Sequence, residues 1–318
     1  MKMKLIMENW NRFVLSERVK PSSFYGTTFN EFKANLESHI NDIWIFFDTE
    51  TTGLFYEEKH VQVTELAAVA YQPKNTEEGY SLEPLQGGVF NVKAFLEEDT
   101  LARRDQEREN PENYDSFTID KLLNMTAYED ESSGAEFKPI SKLLEDFKIY
   151  IDSIKSKSPS GQILFVAQNA PYDVAIMNVA YNRMGEKPPD YEVWDTKGPI
   201  EQFLIPVFKD IGADPNSSPE DKGTAQRAKA ISKNSGKEYY SSSLGKITDA
   251  FNIKNDKWHQ AIADVENTAE MFVRMMNFMN KQGMLSTYKT NRAFDPEAGR
   301  PPATEKEAEQ QKASRAKK

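Results

Sequence analysis

Five short apolar runs and a set of helical stripes organise this chain. Residues 43–47, Ile-Trp-Ile-Phe-Phe, are continuously apolar and stop abruptly at Asp48. That is the pattern of a central strand buried on both faces. Residues 62–71 and 87–93 are separated by polar residues and Pro84, and they read as a meander or hairpin. Residues 163–167 and 191–194 supply a fourth and a fifth strand. Ile140, Leu143, Leu144, Phe147, Ile151 and Ile154 recur at three- and four-residue spacing. That spacing predicts an amphipathic helix over 140–154. Shorter helices are predicted over 118–127, 198–208 and 244–251, and a long one over 261–281. Pro171 sits well in the first turn of a helix running to about residue 184. Strands first and helices interleaved afterwards predict an α/β fold, a mixed five-stranded sheet flanked by helices. Such folds place their sites at strand ends and helix starts.

Three segments depart from these rhythms. Residues 1–40 read as a helical extension in which Leu5, Trp10 and Phe13 dock a small first helix. Residues 209–239 are rich in Gly, Ser, Pro, Asn and Lys. They predict a flexible insertion with a short helix at 224–232. Residues 284–318 are polar and charged, and disorder is expected. The main domain is therefore 41–283.

Composition narrows the chemistry. The chain has 318 residues, 38% apolar and 28% charged, as a globular enzyme would have. It has no cysteine and three histidines, His39, His60 and His259. Disulfides, thiolate nucleophiles and cysteine-ligated zinc are excluded. Any metal should be a hard cation held by oxygen. A net charge of −10 argues against tight, sequence-independent duplex binding. It does not exclude an enzyme that meets a strand end with metals and a local basic patch. No apolar run approaches the ~18 residues of a membrane span. A soluble, intracellular, cytoplasmic protein with no membrane partner is the expectation.

The candidate chemistry begins at Asp48-Thr49-Glu50. Two residues apart on an extended chain, both carboxylates project to one side. Asp-x-Glu recurs at 48, 105, 190, 264 and 295, and only the first follows a buried strand and precedes a turn with glycine. The turn Thr51-Thr52-Gly53-Leu54 offers hydroxyls, amides and close backbone approach. Its bland reading is a capped β-turn. Asp173 follows Gln168-Asn169-Ala170-Pro171-Tyr172 in the first turn of a predicted helix, where acids are common because they complement the helix dipole. His259 and Asp264 lie five residues apart. On one continuous helix they would be separated by ~500°. They can converge if His259 sits in the loop before the helix and Asp264 in its early turns; the bland reading is a helix-start acid and a surface histidine.

These stretches carry a resemblance. Asp-Thr-Glu-Thr-Thr-Gly-Leu at 48–54 resembles the first motif of the DEDDh exonucleases, the DnaQ-like superfamily. Gln-Asn-Ala-Pro-Tyr-Asp at 168–173 resembles the second, and His-Gln-Ala-Ile-Ala-Asp at 259–264 the third. The order is the family's, and the span 43–281 is most of the chain. Gln168 departs from the usual histidine, which puts local substrate contacts in doubt. The tyrosine-bearing sister class would need Tyr at 260, which is Gln.

The resemblance implies a ribonuclease H-like fold and a 3′→5′ exonuclease that releases nucleoside 5′-monophosphates. It implies two cations, Mg²⁺ or Mn²⁺, held by Asp48, Glu50, Asp173 and Asp264, with His259 as general base. Thr51, Leu54 and Asn169 would touch the terminal nucleotide or orient the second loop. Lys222, Arg227 and Lys229, in a stretch with five basic residues and no acid, could track a phosphate backbone or simply be solvated. Expected partners are single-stranded DNA or frayed 3′ ends, with RNA the alternative, and a polymerase or replication partner acting in trans. A catalytically silent nucleic-acid-binding module is the competing reading. Glu65 reads as a structural hydrogen-bond acceptor and Asp195-Thr196 as a helix cap. Tyr239 and Tyr240 read as packing residues, and His39 and His60 as surface residues.

Overall fold

The computed structural model describes residues 28–54, 56–113, 118–129, 134–189, 192–232, 235–254, 257 and 259–282. The expected first helix around Leu5, Trp10 and Phe13, and the expected disorder of 284–318, lie outside these residues.

A six-stranded sheet forms the centre, in the order β4-β3-β2-β1-β5-β6. Its strands are β1 (Ile43–Thr51), β2 (Val63–Thr76), β3 (Gly79–Ala94), β4 (Glu136–Lys138), β5 (Ile163–Ala167) and β6 (Glu192–Asp195). β1 pairs antiparallel with β2 and parallel with β5, and β5 pairs parallel with β6. This is the mixed arrangement expected, with the expected five strands in place. β4 is an additional edge strand of three residues beside β3. The hairpin of β2 and β3 is longer than its apolar runs. Pro84 does not break β3, because it faces Tyr71 where the register slips between Val69 and Tyr71. A bulge is one of the few places a strand tolerates proline.

Side-chain alternation along β1 splits the core into two layers. Trp44 and Phe46 face one layer with Trp194 and Phe272, while Ile43, Ile45 and Phe47 face the other with Phe147 and Phe165. The first layer is covered by α1 (Phe29–Ser38), α8 (Leu244–Ala250) and α9 (Ala261–Lys281), and the second by α4 (Ile140–Lys157) and α5 (Ala170–Arg183). α1 starts at a capping box. The Glu31 amide donates to Thr28 Oγ1 at 3.2 Å, and the Thr28 amide to Glu31 Oε2 at 2.6 Å.

Two helices lie between the hairpin and β4: α2 (Glu98–Glu109) and α3 (Ile119–Met125). α2 was not legible in the sequence because its buried residues are only Thr100 and Glu107. Glu107 is held by Arg103 and accepts the Ile119 amide at 2.7 Å, so this helix docks through charge and hydrogen bonds.

The segment 209–239 is not a loop. A helical run continues through a π-helical turn, Ile200–Leu204, into α6 (Ile205–Ala213). α7 (Pro219–Arg227) follows, then a hairpin of β7 (Lys229–Ile231) and β8 (Glu238–Tyr240). α7 starts at Ser218, whose hydroxyl accepts the Asp221 amide, with Pro219 at N1. It ends at Arg227, so the helix expected over 224–232 lies several residues earlier.

Candidate active site

β1 ends at the middle of the sheet with Asp48 and Glu50 on the face covered by α9. The i, i+2 alternation that sends Trp44 and Phe46 into that layer sends these carboxylates the same way. The register shifts between Glu50 and Thr51, which ends regular pairing at the motif. Thr51 Oγ1 donates to the Gly53 carbonyl at 2.8 Å and lies 3.0 Å from the Tyr172 hydroxyl, which also donates to Gly53 O. Gly53 is needed here for space, since a Cβ would lie 2.6 Å from Val61 Cγ2. Leu54 is 50% exposed and does not fill the core.

Asp173 comes from the opposite layer. Asn169, at φ 64°, turns the chain from β5 into α5, and Asp173 lies in that helix's first turn. Its Oδ1 accepts the Thr49 amide at 3.0 Å and the Thr49 hydroxyl at 2.6 Å. Thr49 thus ties α5 to the strand between the two carboxylates it separates.

His259 stands before α9 with φ 62°, in the left-handed region. Non-glycine residues adopt it uncommonly, at a cost of about 1–3 kcal/mol. That turn removes the angular problem of a continuous helix. Glu50, His259 and Asp264 bring ligand atoms within 4.8 Å of one another. Asp264 is buried in the first turn of α9.

The electrostatics follow from four acids in a small space. Burial and the charges of Asp173, Glu50 and Asp264 push the Asp48 carboxyl well above its usual range. Burial, Asp264, Glu65 and Asp173 do the same to Glu50. Asp173 is raised to about 7, chiefly by burial, with the two Thr49 donors pulling the other way. Two carboxylates ~4 Å apart at an effective dielectric near 20 repel by roughly 4 kcal/mol. A set of oxygen donors with this unbalanced charge fits a hard divalent cation.

Glu65 and Asp195 have roles the sequence did not disclose. Glu65 faces Glu50 across the β1–β2 ladder and is 1% exposed. The Ala261 amide, at the start of α9, is the backbone donor that acts on its carboxylate, in keeping with the expected acceptor role. Burial raises its pKa to about 7, partly offset by Lys93 and the Ala261 amide. Asp195 does more than cap the helix after β6. Its Oδ1 accepts amides from Lys197 at 3.0 Å, Asn169 at 2.8 Å and Ala170 at 3.4 Å, fixing the loop before Asp173.

The basic candidates of the insertion are engaged locally. Lys222 Nζ donates to the Pro215 carbonyl at 2.8 Å, and Lys229 pairs with Glu238 at 3.1 Å. The Arg227 guanidinium donates to the carbonyls of Asp249 and Ala250 at the end of α8. Of the three, Arg227 ties the insertion to α8, while Lys222 and Lys229 bond within the insertion itself. Asn169 Oδ1 accepts from Lys197 Nζ at 3.1 Å. Gln168 accepts the Thr196 hydroxyl and donates to the Ser242 carbonyl at 2.8 Å. Tyr240 stacks on Phe208 as expected, whereas Tyr239 is 50% exposed. His39 and His60 are half-buried, not at the surface, and His39 bonds Asp42 at 2.6 Å.

No family model matches the chain. By sequence it is 22% identical over 254 residues to the DNA polymerase III PolC-type of Staphylococcus aureus, covering 80% of this chain and 13% of that protein. The chain thus spans about an eighth of the length of the curated relatives it matches. Among solved structures, Escherichia coli exonuclease I in complex with a dT13 oligonucleotide aligns with a TM-score of 0.44 at 15% identity, over 76% of this chain and 43% of that one. A product-bound structure of exonuclease I aligns with a TM-score of 0.42 at 17% identity, over 76% and 46% of the two chains. The chain is similar to the DEDDh, DnaQ-like exonucleases. Its three motifs keep that superfamily's order and meet at one end of the sheet. Among the described residues no helix is long and apolar enough to cross a membrane.

Proposed function

We propose that this chain is a metal-dependent 3′→5′ exonuclease that removes nucleoside 5′-monophosphates from single-stranded 3′ ends. The observation that carries the reading is the convergence of Glu50, His259 and Asp264 on one point beside the buried Asp48 and Asp173. A catalytically silent module would have little reason to hold four acids at this electrostatic cost.

Asp48, Glu50 and Asp264 would hold one divalent cation, and Asp48 with Asp173 a second, Mg²⁺ or Mn²⁺. Bound there, the cations would supply positive charge for the attacking and leaving oxygens of an in-line phosphoryl displacement. His259 accepts the proton of the attacking water. Water adds to phosphorus, the bond to the upstream O3′ breaks, and the products are a nucleoside 5′-monophosphate and a strand with a new 3′-hydroxyl. Thr51 and Leu54 flank the terminal sugar and base. Thr49 and Asp195 act through others, the first on the Asp173 carboxylate and the second on the loop that carries it.

The sequence match to a DNA polymerase favours DNA over RNA and a replication protein as partner. The test is a 5′-fluorescein 20-mer offered as single-stranded DNA, duplex DNA and RNA, with Mg²⁺ and with EDTA. The expected result is a ladder of shortened 5′-labelled products from single-stranded DNA with Mg²⁺ only, absent for Asp48→Ala. An uncut strand, or equal cutting by Asp48→Ala, contradicts the reading.

A further inference from the structure

A groove of about 900 Å³ opens on the far side of the second-motif loop, between the β6 end, the helical run after it and the insertion hairpin. Four observations describe its wall. Lys197 and Lys209 both line it, and the Lys197 ammonium donates to Asn169 Oδ1 at 3.1 Å on the same wall, with its charge acting on Asp195. Glu201 is the one acid on the lining, and its Oε1 accepts the Ser242 hydroxyl at 2.8 Å. Tyr239, brought in by β8, leaves half its ring in solvent. Gln202 is 3% exposed, lines the groove, and has no hydrogen-bond partner at either amide atom.

An unsatisfied buried amide costs about 1–3 kcal/mol, so its retention asks for a partner. The groove adjoins the carboxylates. Asn169, on its lining, is four residues from Asp173, about one helical turn or ~6 Å along the axis. Asp195 Oδ1 fixes both the Lys197 amide and the Asn169 amide, so groove and acid loop are one rigid piece.

Cationic ends, an exposed aromatic face and an amide that can both donate and accept are the elements that bind a flexible polynucleotide. The volume is at the upper end of the ~300–1,000 Å³ of small-ligand sites, enough for more than one nucleotide. We propose that this groove holds the nucleotides immediately 5′ of the terminal one. Lys197 and Lys209 take phosphates, Tyr239 stacks on a base, and Gln202 meets a base edge. The inference rests on the exonuclease reading and deepens it. It moves strand recognition from Lys222, Arg227 and Lys229 to the other side of the insertion.

The test compares two substrates. Anisotropy of 5′-fluorescein-dT8, with Ca²⁺ replacing Mg²⁺, reads strand binding. Release of p-nitrophenol from the p-nitrophenyl ester of thymidine 5′-monophosphate, with Mg²⁺, reads the carboxylate site with the groove empty. Lys197→Ala/Lys209→Ala should weaken dT8 binding about tenfold or more at 0.1 M salt. It should also flatten the log–log salt slope by about 1.4, at ~0.7 per phosphate. Tyr239→Ala should weaken binding about 5- to 150-fold, with Tyr239→Phe restoring it. Gln202→Met should weaken binding without lowering the melting temperature. Lys209→Ala alone, Tyr239→Ala and Gln202→Met should keep the wild-type kcat/KM on the ester. Variants that bind dT8 with wild-type affinity and salt slope overturn the proposal, and so does ester hydrolysis that falls in step with binding in these last three. Wild-type protein that hydrolyses neither ester nor strand contradicts the exonuclease reading instead, and the dT8 comparison still decides the groove.

Discussion

Replacing Asp173 with Asn should stabilise the metal-free protein at alkaline pH and change it little at acid pH. The Asp173 carboxyl is buried and its pKa is raised from 3.8 to about 7, mainly by burial. A group whose folded pKa lies above its unfolded value favours folding fully below the unfolded value. That contribution is lost as pH rises through the folded value. For Asp173 the loss runs from about pH 4 to just above pH 7. At about 1.4 kcal/mol per pKa unit, the ionised side chain costs up to about 4 kcal/mol at pH 8 and almost nothing near pH 4. Asparagine keeps an Oδ1 for the Thr49 amide and hydroxyl and carries no charge. A domain of this size shifts its melting temperature by about 2–4 °C per kcal/mol. Scanning fluorimetry in EDTA should therefore find Asp173→Asn melting several degrees, and at most about 15 °C, above wild type at about pH 8. At about pH 4.5 the two curves should nearly coincide, and Mg²⁺ should close the gap at pH 8 by raising wild type. A variant that melts lower than wild type by the same amount at both pH values would refute the reasoning. It would mean that Thr49 satisfies an ordinary ionised carboxylate.

Other substitutions test separate links. His259→Ala should lower the rate of nucleotide release about 10²–10⁴-fold while Mg²⁺ still raises the melting temperature; full activity would remove the imidazole from proton transfer. Arg227→Ala should cost about 1.5–3 kcal/mol in urea unfolding, because the guanidinium caps the end of α8, and should leave dT8 affinity unchanged. Loss of affinity without loss of stability would return Arg227 to the strand path. Gly53→Ala should cost about 1–3 kcal/mol, because its Cβ would press on the buried Val61, and should lower activity by moving Thr51; unchanged unfolding and activity would show that the turn relaxes freely.

The parts of this molecule that were legible in the sequence are those where one physical rule dominates. β1 could be read because both its faces are buried, and Asp48 and Glu50 because strand alternation leaves no other side for them. Angular arithmetic allowed His259 to meet Asp264 from a position before α9, although its left-handed backbone was not legible. α2 was hidden because it docks through Glu107 and Thr100, which no apolar stripe announces. The insertion looked like a loop because its helix buries only Thr224 and Ala225, and its structure depends on Arg227 reaching another helix. The full roles of Glu65 and Asp195 were hidden for a related reason. Their roles depend on which distant amides and charges they meet, and that is set by sheet register and not by neighbours in sequence.

The most direct test of the central claim, that three separated stretches build one cation site, is calorimetric titration of Mn²⁺ into the metal-free protein at about pH 7.5. Wild type should bind two ions. Asp48→Ala, which loses the carboxylate shared by both, should bind none with comparable affinity, and Asp264→Asn and Asp173→Asn should each lose about one. Equal Mn²⁺ binding by wild type and Asp48→Ala, or no binding by wild type, would contradict the account.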